Sequence, residues 1–525
     1  MNQPDLPTEA PPAGADGELR QHIRGSSLLL FGRVIAIFLN FATQVLTVRY
    51  LSKGDYGAFS WAIAVVTMGS TLSLLSMQKV VSRFLPIYME KKDLPAQRGA
   101  IMLAVGSTLT LGLVIIAVTF AARGWLTESL VSNQKSVGLL LVLVVLVPMQ
   151  GLDSLLHALF AVLASPRAIF FRRHILSPLF RLAAVLTIIL TAGSVRALAI
   201  GYLVAGALGI GAYLVLLRSL LARLRIIGRE APPGVRVPAG EMYRFGLPLV
   251  TTDILWFLKT TVVVIILEAI RGTDAVAEFR AVVPLAGLNV LILHNVRVLY
   301  LPLASRLLAR NEFDSVGTLY SRTSAWITVI SFPIFAVCVF LAAPVTTLLF
   351  GDRYSSASTI LIVLAVGQYV DAALGVNLST LNAFARVRFI ASVNCLVAIF
   401  AVALQFILVP RWGALGAGIA ATATVVVQNA LNQTGLIRLA GVGQFRGSQL
   451  RVYGAVGVSI GILLAARSLT SKPWIIALLI VVISGCLIRW SRDALDITET
   501  FPELKRVPGL RAFLGPSKKD HHESS

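Results

Sequence analysis

The chain has 525 residues, 56% of them hydrophobic and only 14% charged, with a formal net charge of +21. A soluble domain carries roughly 25% charged residues, so soluble-enzyme readings are excluded. The positive charge does not mark a nucleic-acid binder, because the basic residues collect in short loops on one side of long apolar blocks.

Those blocks run ~18–25 residues, enough to cross ~30 Å of hydrocarbon as helices. They are continuous rather than alternating, which rules out barrel strands. Residues 1–24 read as a disordered cytoplasmic tail. About fourteen spans follow, near 25–48, 57–76, 99–122, 137–160, 174–191, 197–217, 246–268, 277–300, 321–343, 357–380, 388–410, 414–436, 452–469 and 473–489. With the N-terminus inside, roughly 31 of the 46 Lys and Arg fall on that side and about ten on the other. That bias places both termini in the cytoplasm. The longest loop, 218–245, is basic and Pro-broken, with Arg218, Arg223, Arg225, Arg229 and Pro232-Pro233-Gly234. It divides an N-lobe (25–243) from a C-lobe (244–440); two extra helices (441–490) and a cytoplasmic tail (491–525) follow.

The lobes look duplicated. Asp55 and Asp274, each in a turn after an apolar run, lie 219 residues apart. The same shift carries Arg167-Ala168-Ile169-Phe170 onto Arg386-Val387-Arg388-Phe389, and Glu90-Lys91-Lys92-Asp93 onto Ala309-Arg310-Asn311-Glu312. Each half begins inside and has an even number of spans, so the repeat is parallel, as in many transporters.

Ionisable residues inside spans cost ~2.5–3.5 kcal/mol on insertion scales, so each is a functional candidate. In the first span Arg33, Asn40 and Gln44 stand at i, i+7 and i+11, within ~20° of one direction. They form a stripe suited to a cavity wall, although Arg33 lies close enough to the cytoplasmic end to snorkel. In the fourth span Gln150, Asp153 and His157 make a second stripe, read either as an interlocking pair or as a proton or cation relay. Arg181 in the fifth span either faces a cavity or snorkels. In the seventh, Asp253 and Lys259 are six residues apart. They sit ~120° from each other, so each needs a partner elsewhere. Lys259 lies near mid-depth, where snorkelling is hardest. Arg280 and Arg297 approach opposite ends of the eighth span, and Asp371 stands one turn from Gln368 in the tenth. Gln428, Asn429, Asn432 and Gln433 form a polar turn suited to interhelical hydrogen bonds. Arg33, Asn40, Gln44, Lys259, Arg280 and Arg297 are the candidates for substrate binding. Asp153, His157, Asp253 and Asp371 are the candidates for ion coupling. Cys338, Cys395 and Cys486 lie far apart in apolar spans, with no metal or disulfide spacing. No P-loop, dinucleotide fingerprint or nucleophile elbow is present. No cofactor is expected, and any energy comes from an H+ or Na+ gradient, the membrane potential or the substrate gradient.

The opening Gly25-Ser26-Ser27-Leu28-Leu29-Leu30-Phe31-Gly32-Arg33 and the turn Leu51-Ser52-Lys53-Gly54-Asp55-Tyr56-Gly57 resemble the start of polysaccharide-transport proteins. Leu348-Leu349-Phe350-Gly351-Asp352-Arg353-Tyr354 and Trp412-Gly413-Ala414-Leu415-Gly416-Ala417-Gly418-Ile419-Ala420 are similar to the same family. These are the Wzx-type O-antigen and exopolysaccharide flippases of the multidrug/oligosaccharidyl-lipid/polysaccharide exporter superfamily. The resemblance covers about 25–490. It implies an all-α, polytopic, MATE-like fold with two six-helix lobes in a V around a central cavity, plus two C-terminal helices. It further implies a non-enzymatic flippase of the bacterial inner membrane, moving a polyprenyl-pyrophosphate-linked oligosaccharide by alternating access. Arg33 and Lys259 match the places of cavity cations in such families. The partners implied are the lipid-linked substrate, membrane lipids and the polymerase and export proteins of the pathway. A peptidoglycan-precursor flippase and a cation-coupled drug exporter are the alternatives within the superfamily. A membrane-embedded glycosyltransferase or polymerase ranks last, because the longest loop faces inside.

Overall fold

The computed structural model describes residues 15–130, 134–163, 170–224, 226, 234–443 and 448–495. The outermost tails, the turn at Arg167, and Arg225, Arg229 and Pro232-Pro233 of the linker lie outside the described residues. All regular structure among the described residues is helical. The helices are α1 (Ala15–Tyr50), α2 (Lys53–Leu74), α3 (Met77–Glu90), α4 (Leu94–Ala121), α5 (Gln134–Leu143), α6 (Leu146–Val162), α7 (Ser177–Leu190) and α8 (Val195–Arg223). They continue with α9 (Ala239–Thr260), α10 (Val262–Arg271), α11 (Thr273–Ala286), α12 (Leu288–Ala309), α13 (Phe313–Phe340) and α14 (Ala342–Phe350). The last are α15 (Ala357–Leu374), α16 (Asn377–Ala383), α17 (Val387–Ala440), α18 (Ser448–Leu469) and α19 (Pro473–Leu495). Helix α1 begins at Ala15, so the end of the tail expected to be disordered over 1–24 is helical.

Among the described residues nine helical spans are long and apolar enough to cross a membrane, with α2 and α3 counted as one and α15 and α16 as another, or up to eleven if each of two bent pairs is one span. That is fewer than the fourteen segments expected. One reason is that α17 carries two of those segments in 54 residues, interrupted only at Gly413. Another is that the helix over His174–Leu190 is short. Exposed apolar side chains such as Leu113, Val118, Leu190, Val215, Val458 and Val481 cover these helices, as a lipid-facing surface requires. The chain is a multi-pass membrane protein.

The chain forms two compact units, Met1–Ile254 and Leu255–Ser525, dividing inside α9. In the first, α2 packs against α4, α5 and α6, and α7 packs against α1 and α8. Its core includes Val80, Leu85, Tyr88, Leu155, Phe160 and Tyr213. The far end of the linker is fastened to this unit: the Arg236 N–H donates to the Pro95 carbonyl at 3.1 Å, and its guanidinium pairs with Asp93. In the second unit α15 packs against α11, α13 and α17. Helices α18 and α19 lie on α13, where Val452, Val456, Ile476 and Ile480 join Phe332, Phe335 and Tyr369. Lipid offers no hydrophobic driving force between helices, so close fit holds this contact; the Phe335 and Tyr369 rings stack at 4.2 Å.

The 219-residue shift is written into the backbone. Helices α4 and α13 begin and end at that displacement, and so do the last residues of α3 and α12, Glu90 and Ala309. The turns between them match as well. Lys92 and Asn311 are both left-handed, with φ of 52° and 60°. Asp93 and Glu312 then occupy the N-cap, with φ of −85° in each.

Candidate functional site

In the first unit a polar cavity of about 290 Å³ opens among α2, α6, α7 and α8. Gln150, Asp153 and Ser154 face it from α6, Ser177 and Arg181 from α7, Thr67 from α2 and Tyr202 from α8. The stripe expected on the fourth span therefore divides. Gln150 and Asp153 reach the cavity, and the Ser70 hydroxyl donates to the Gln150 Oε1 at 3.4 Å. His157, one turn on, is half-buried but does not line the cavity. Arg181 lines the same space as Asp153, so a carboxylate and a guanidinium from different helices share one cavity.

The first-helix stripe is less uniform than its spacing implied. Arg33 and Gln44 are half-buried, and Gln44 donates to the Tyr56 hydroxyl at 3.5 Å. Asn40 is exposed and its amide turns back to the Ala36 carbonyl at 2.7 Å.

Asp253 finds its partners on α3. Lys79 Nζ lies 2.6 Å from one carboxylate oxygen, and the Ser76 hydroxyl donates to the other. Lys79 also donates to Thr252 at 3.0 Å. Lys79 lies outside the fourteen segments, in a stretch read as a loop. The available signal was the apolar spacing of Met77, Val80, Val81, Leu85 and Tyr88, all buried, which is that of an amphipathic helix.

In the second unit Lys259 Nζ donates to Asn394 Oδ1 at 3.0 Å and to Gln428 Oε1 at 3.4 Å, and Gln428 in turn donates to Asn394. Both acceptors are neutral amides on α17, and no described carboxylate pairs with this ammonium. A second group surrounds the break between α15 and α16. Asn429 donates to Asp371 at 2.9 Å, and Asn377 donates to Asn429 at 3.1 Å. Arg297 donates twice to the Gly375 carbonyl, at 3.0 and 2.7 Å, within electrostatic reach of Asp371. Arg280 is half-buried on α11. The candidates thus fall into several local clusters. Asn394 and Asn377, which spacing alone did not single out, are central to two of them.

A family profile described as polysaccharide biosynthesis protein matches residues 23–308. The chain belongs to that family. No curated protein sequence matches it. Solved structures share the fold. One is described as the lipid II flippase MurJ in an inward closed conformation. It superimposes with a TM-score of 0.68 at 14% identity, over 90% of this chain and 99% of that one. An inward-facing multidrug resistance MATE transporter of the MOP superfamily gives 0.60 at 15%, over 78% and 95%. A MOP superfamily transporter from Pyrococcus furiosus, whose description notes a binding pocket of reverse polarity, gives 0.52 at 14%, over 80% and 96%. This polysaccharide biosynthesis protein therefore has the fold of MOP superfamily transporters.

Proposed function

We propose that this protein moves a polyprenyl-pyrophosphate-linked oligosaccharide, a repeat unit of an exopolysaccharide, O-antigen or capsule, from the inner to the outer leaflet of a bacterial inner membrane. Both termini are then cytoplasmic, and the two lobes alternate access to the substrate. The observation that carries the reading is Lys259. A part-buried ammonium whose acceptors are two neutral amides keeps an uncompensated charge, which is costly to retain. An anionic ligand such as pyrophosphate or an acidic sugar supplies the missing countercharge. Arg33, Arg297 and Arg280 add basic character, with Asn40 and Gln44 as hydrogen-bonding groups.

For coupling, the candidate acids are Asp253, Asp371 and Asp153, the last of which lines one cavity with Arg181. Asp253 already holds Lys79 and Ser76, and Asp371 accepts from Asn429. His157 is the remaining candidate relay partner. Replacing Lys259 by Met is expected to abolish surface polysaccharide while membrane levels of the protein stay normal, and Lys259→Arg is expected to retain part of the export. Full export in Lys259→Met removes the assignment of this site.

A peptidoglycan-precursor flippase is the second reading. It is favoured by the reach of the lipid II flippase match, which extends over 90% of the chain against 78% for the MATE transporter. Depletion separates the two: lysis supports the precursor, and loss of only a capsule or exopolysaccharide supports the oligosaccharide.

A further inference from the structure

A shallow cavity of about 570 Å³ in the second unit is used by none of the groups above. Arg271 at the end of α10, Glu278 on α11, Ser356 and Thr359 at the start of α15, and Arg411 and Trp412 at the break in α17 line it. Its parts are held in place. Arg271 donates to the carbonyls of Val409 and Pro410, and the Ser356 hydroxyl donates to Glu278 at 2.8 Å. Gly413, at φ 54° and ψ −130°, makes the turn that carries Arg411 and Trp412 out of the helix. Trp412 is 54% exposed, and Arg411 is exposed as well.

The duplication shows that the turn at Gly413 does not need Arg411 and Trp412. Helix α8 begins at Val195 and α17 resumes after Gly413, so the 219-residue register holds through this region. In that register Arg411 and Trp412 correspond to Ala192 and Gly193 in the first unit. Small residues are enough to build the same turn there. The second unit has instead gathered two guanidinium groups, an indole, a carboxylate and two hydroxyls.

That combination has a chemical meaning. Guanidinium groups suit carboxylate or phosphate geometry. An exposed indole offers a flat apolar face on which a sugar ring can rest. Glu278, Ser356 and Thr359 offer acceptors and donors for ring hydroxyls, which a bare phosphate does not have. We propose that this cavity binds an acidic sugar unit, on the outer face of the membrane, as the saccharide leaves the protein. The outer placement rests on the orientation proposed above, in which the loops after α10, before α15 and at Gly413 all face outward.

The test uses the full-length protein in phosphatidylcholine nanodiscs, with an unsaturated-bond-free digalacturonate as probe and cellobiose as its neutral counterpart. Saturable quenching of tryptophan fluorescence is expected with digalacturonate, and quenching at least about tenfold weaker with cellobiose. Trp412→Phe is expected to remove the signal, and Arg411→Gln to weaken binding about tenfold. Unchanged binding in both variants overturns the site. Equal competition by inorganic phosphate makes it a phosphate site instead. A response confined to nanodiscs containing phosphatidylglycerol makes it an interfacial lipid belt and likewise overturns it. Labelling of Arg411→Cys in intact cells by a membrane-impermeant maleimide, against the parent chain as background, tests the orientation separately. Saccharide binding with labelling only after lysis keeps the cavity and rejects its outward placement. Binding with outward labelling but normal export in Lys259→Met keeps the cavity and rejects the transport site.

Discussion

In the proposed reading, Lys259 pulls stability and function apart. Its ammonium sits among amides rather than carboxylates, so an apolar side chain of similar length removes an uncompensated charge from a part-buried place. Lys259→Met is therefore expected to raise the thermal unfolding midpoint of the purified protein by a few degrees, a shift on the order of 1 kcal/mol, while abolishing export. A lower midpoint in Lys259→Met contradicts this account. Lys79 and Asp253 present the opposite case. Their pair is short, but their side chains are 39% and 19% exposed, and solvent screening leaves a coupling of about 1 kcal/mol or less. A double-mutant cycle on Lys79→Met and Asp253→Asn, read by thermal unfolding, measures it. Spacing gave Asp253 and Lys259 as residues needing partners, because a helix fixes relative directions. It could not name Lys79, Asn394 or Gln428 as those partners, since each is brought in by a separate segment.

At the scale of elements, two glycines on α17 set the shape of the second unit. Gly413 occupies a backbone region that L side chains rarely adopt, so Gly413→Ala is expected to cost about 1–3 kcal/mol. Gly435 meets Phe389: a Cβ there would clash with the ring. Gly435→Ala is expected to destabilise by about 1–3 kcal/mol through overpacking, and adding Phe389→Leu to recover most of the loss. Fluorescence-monitored melting of the single and double variants checks both, and no recovery in the double variant argues against a steric cause. The two adjacent segments 388–410 and 414–436 were legible as separate apolar runs around Arg411-Trp412-Gly413. They stay two helices in the structure, because Gly413 breaks the helical path between them at φ 54° and ψ −130°. The C-terminal helices were legible as apolar but carried almost no polar residues to orient them. Their docking on α13 follows from the buried faces of Val452, Val456, Ile476 and Ile480, which shape and not polarity selects.

At the scale of the whole molecule, the loop charges and the repeat make predictions that packing does not. With roughly 31 of 46 basic residues on one side, a fluorescent-protein fusion after Ser525 is expected to fluoresce in cells. A C-terminal alkaline phosphatase fusion is expected to be inactive, and the reverse pattern rejects cytoplasmic termini. The repeat shapes the distribution of charge as well. At the 219-residue shift Arg33 falls on Thr252 and Asn40 on Lys259. The halves share helix ends and turns, as α4 and α13 show, but not their membrane-embedded charges. Duplication supplied a scaffold, and the charges were placed on it unequally.

The sequence by itself determined the class of fold, because hydrocarbon thickness and the need to satisfy every backbone group leave only long apolar helices. It also determined the register of the duplication, because capped turns such as Ser52 with Asp55 and Asp93 with Ala96 depend on residues a few places apart. Tertiary structure alone decided which polar groups meet. It joined Asp153 to the cavity of Arg181, tied Asp253 to Lys79, and gathered Arg271, Arg411 and Trp412 around one hollow. Helical periodicity fixes the face on which a side chain stands; the partner opposite that face comes from helices whose packing depends on shape along their whole length.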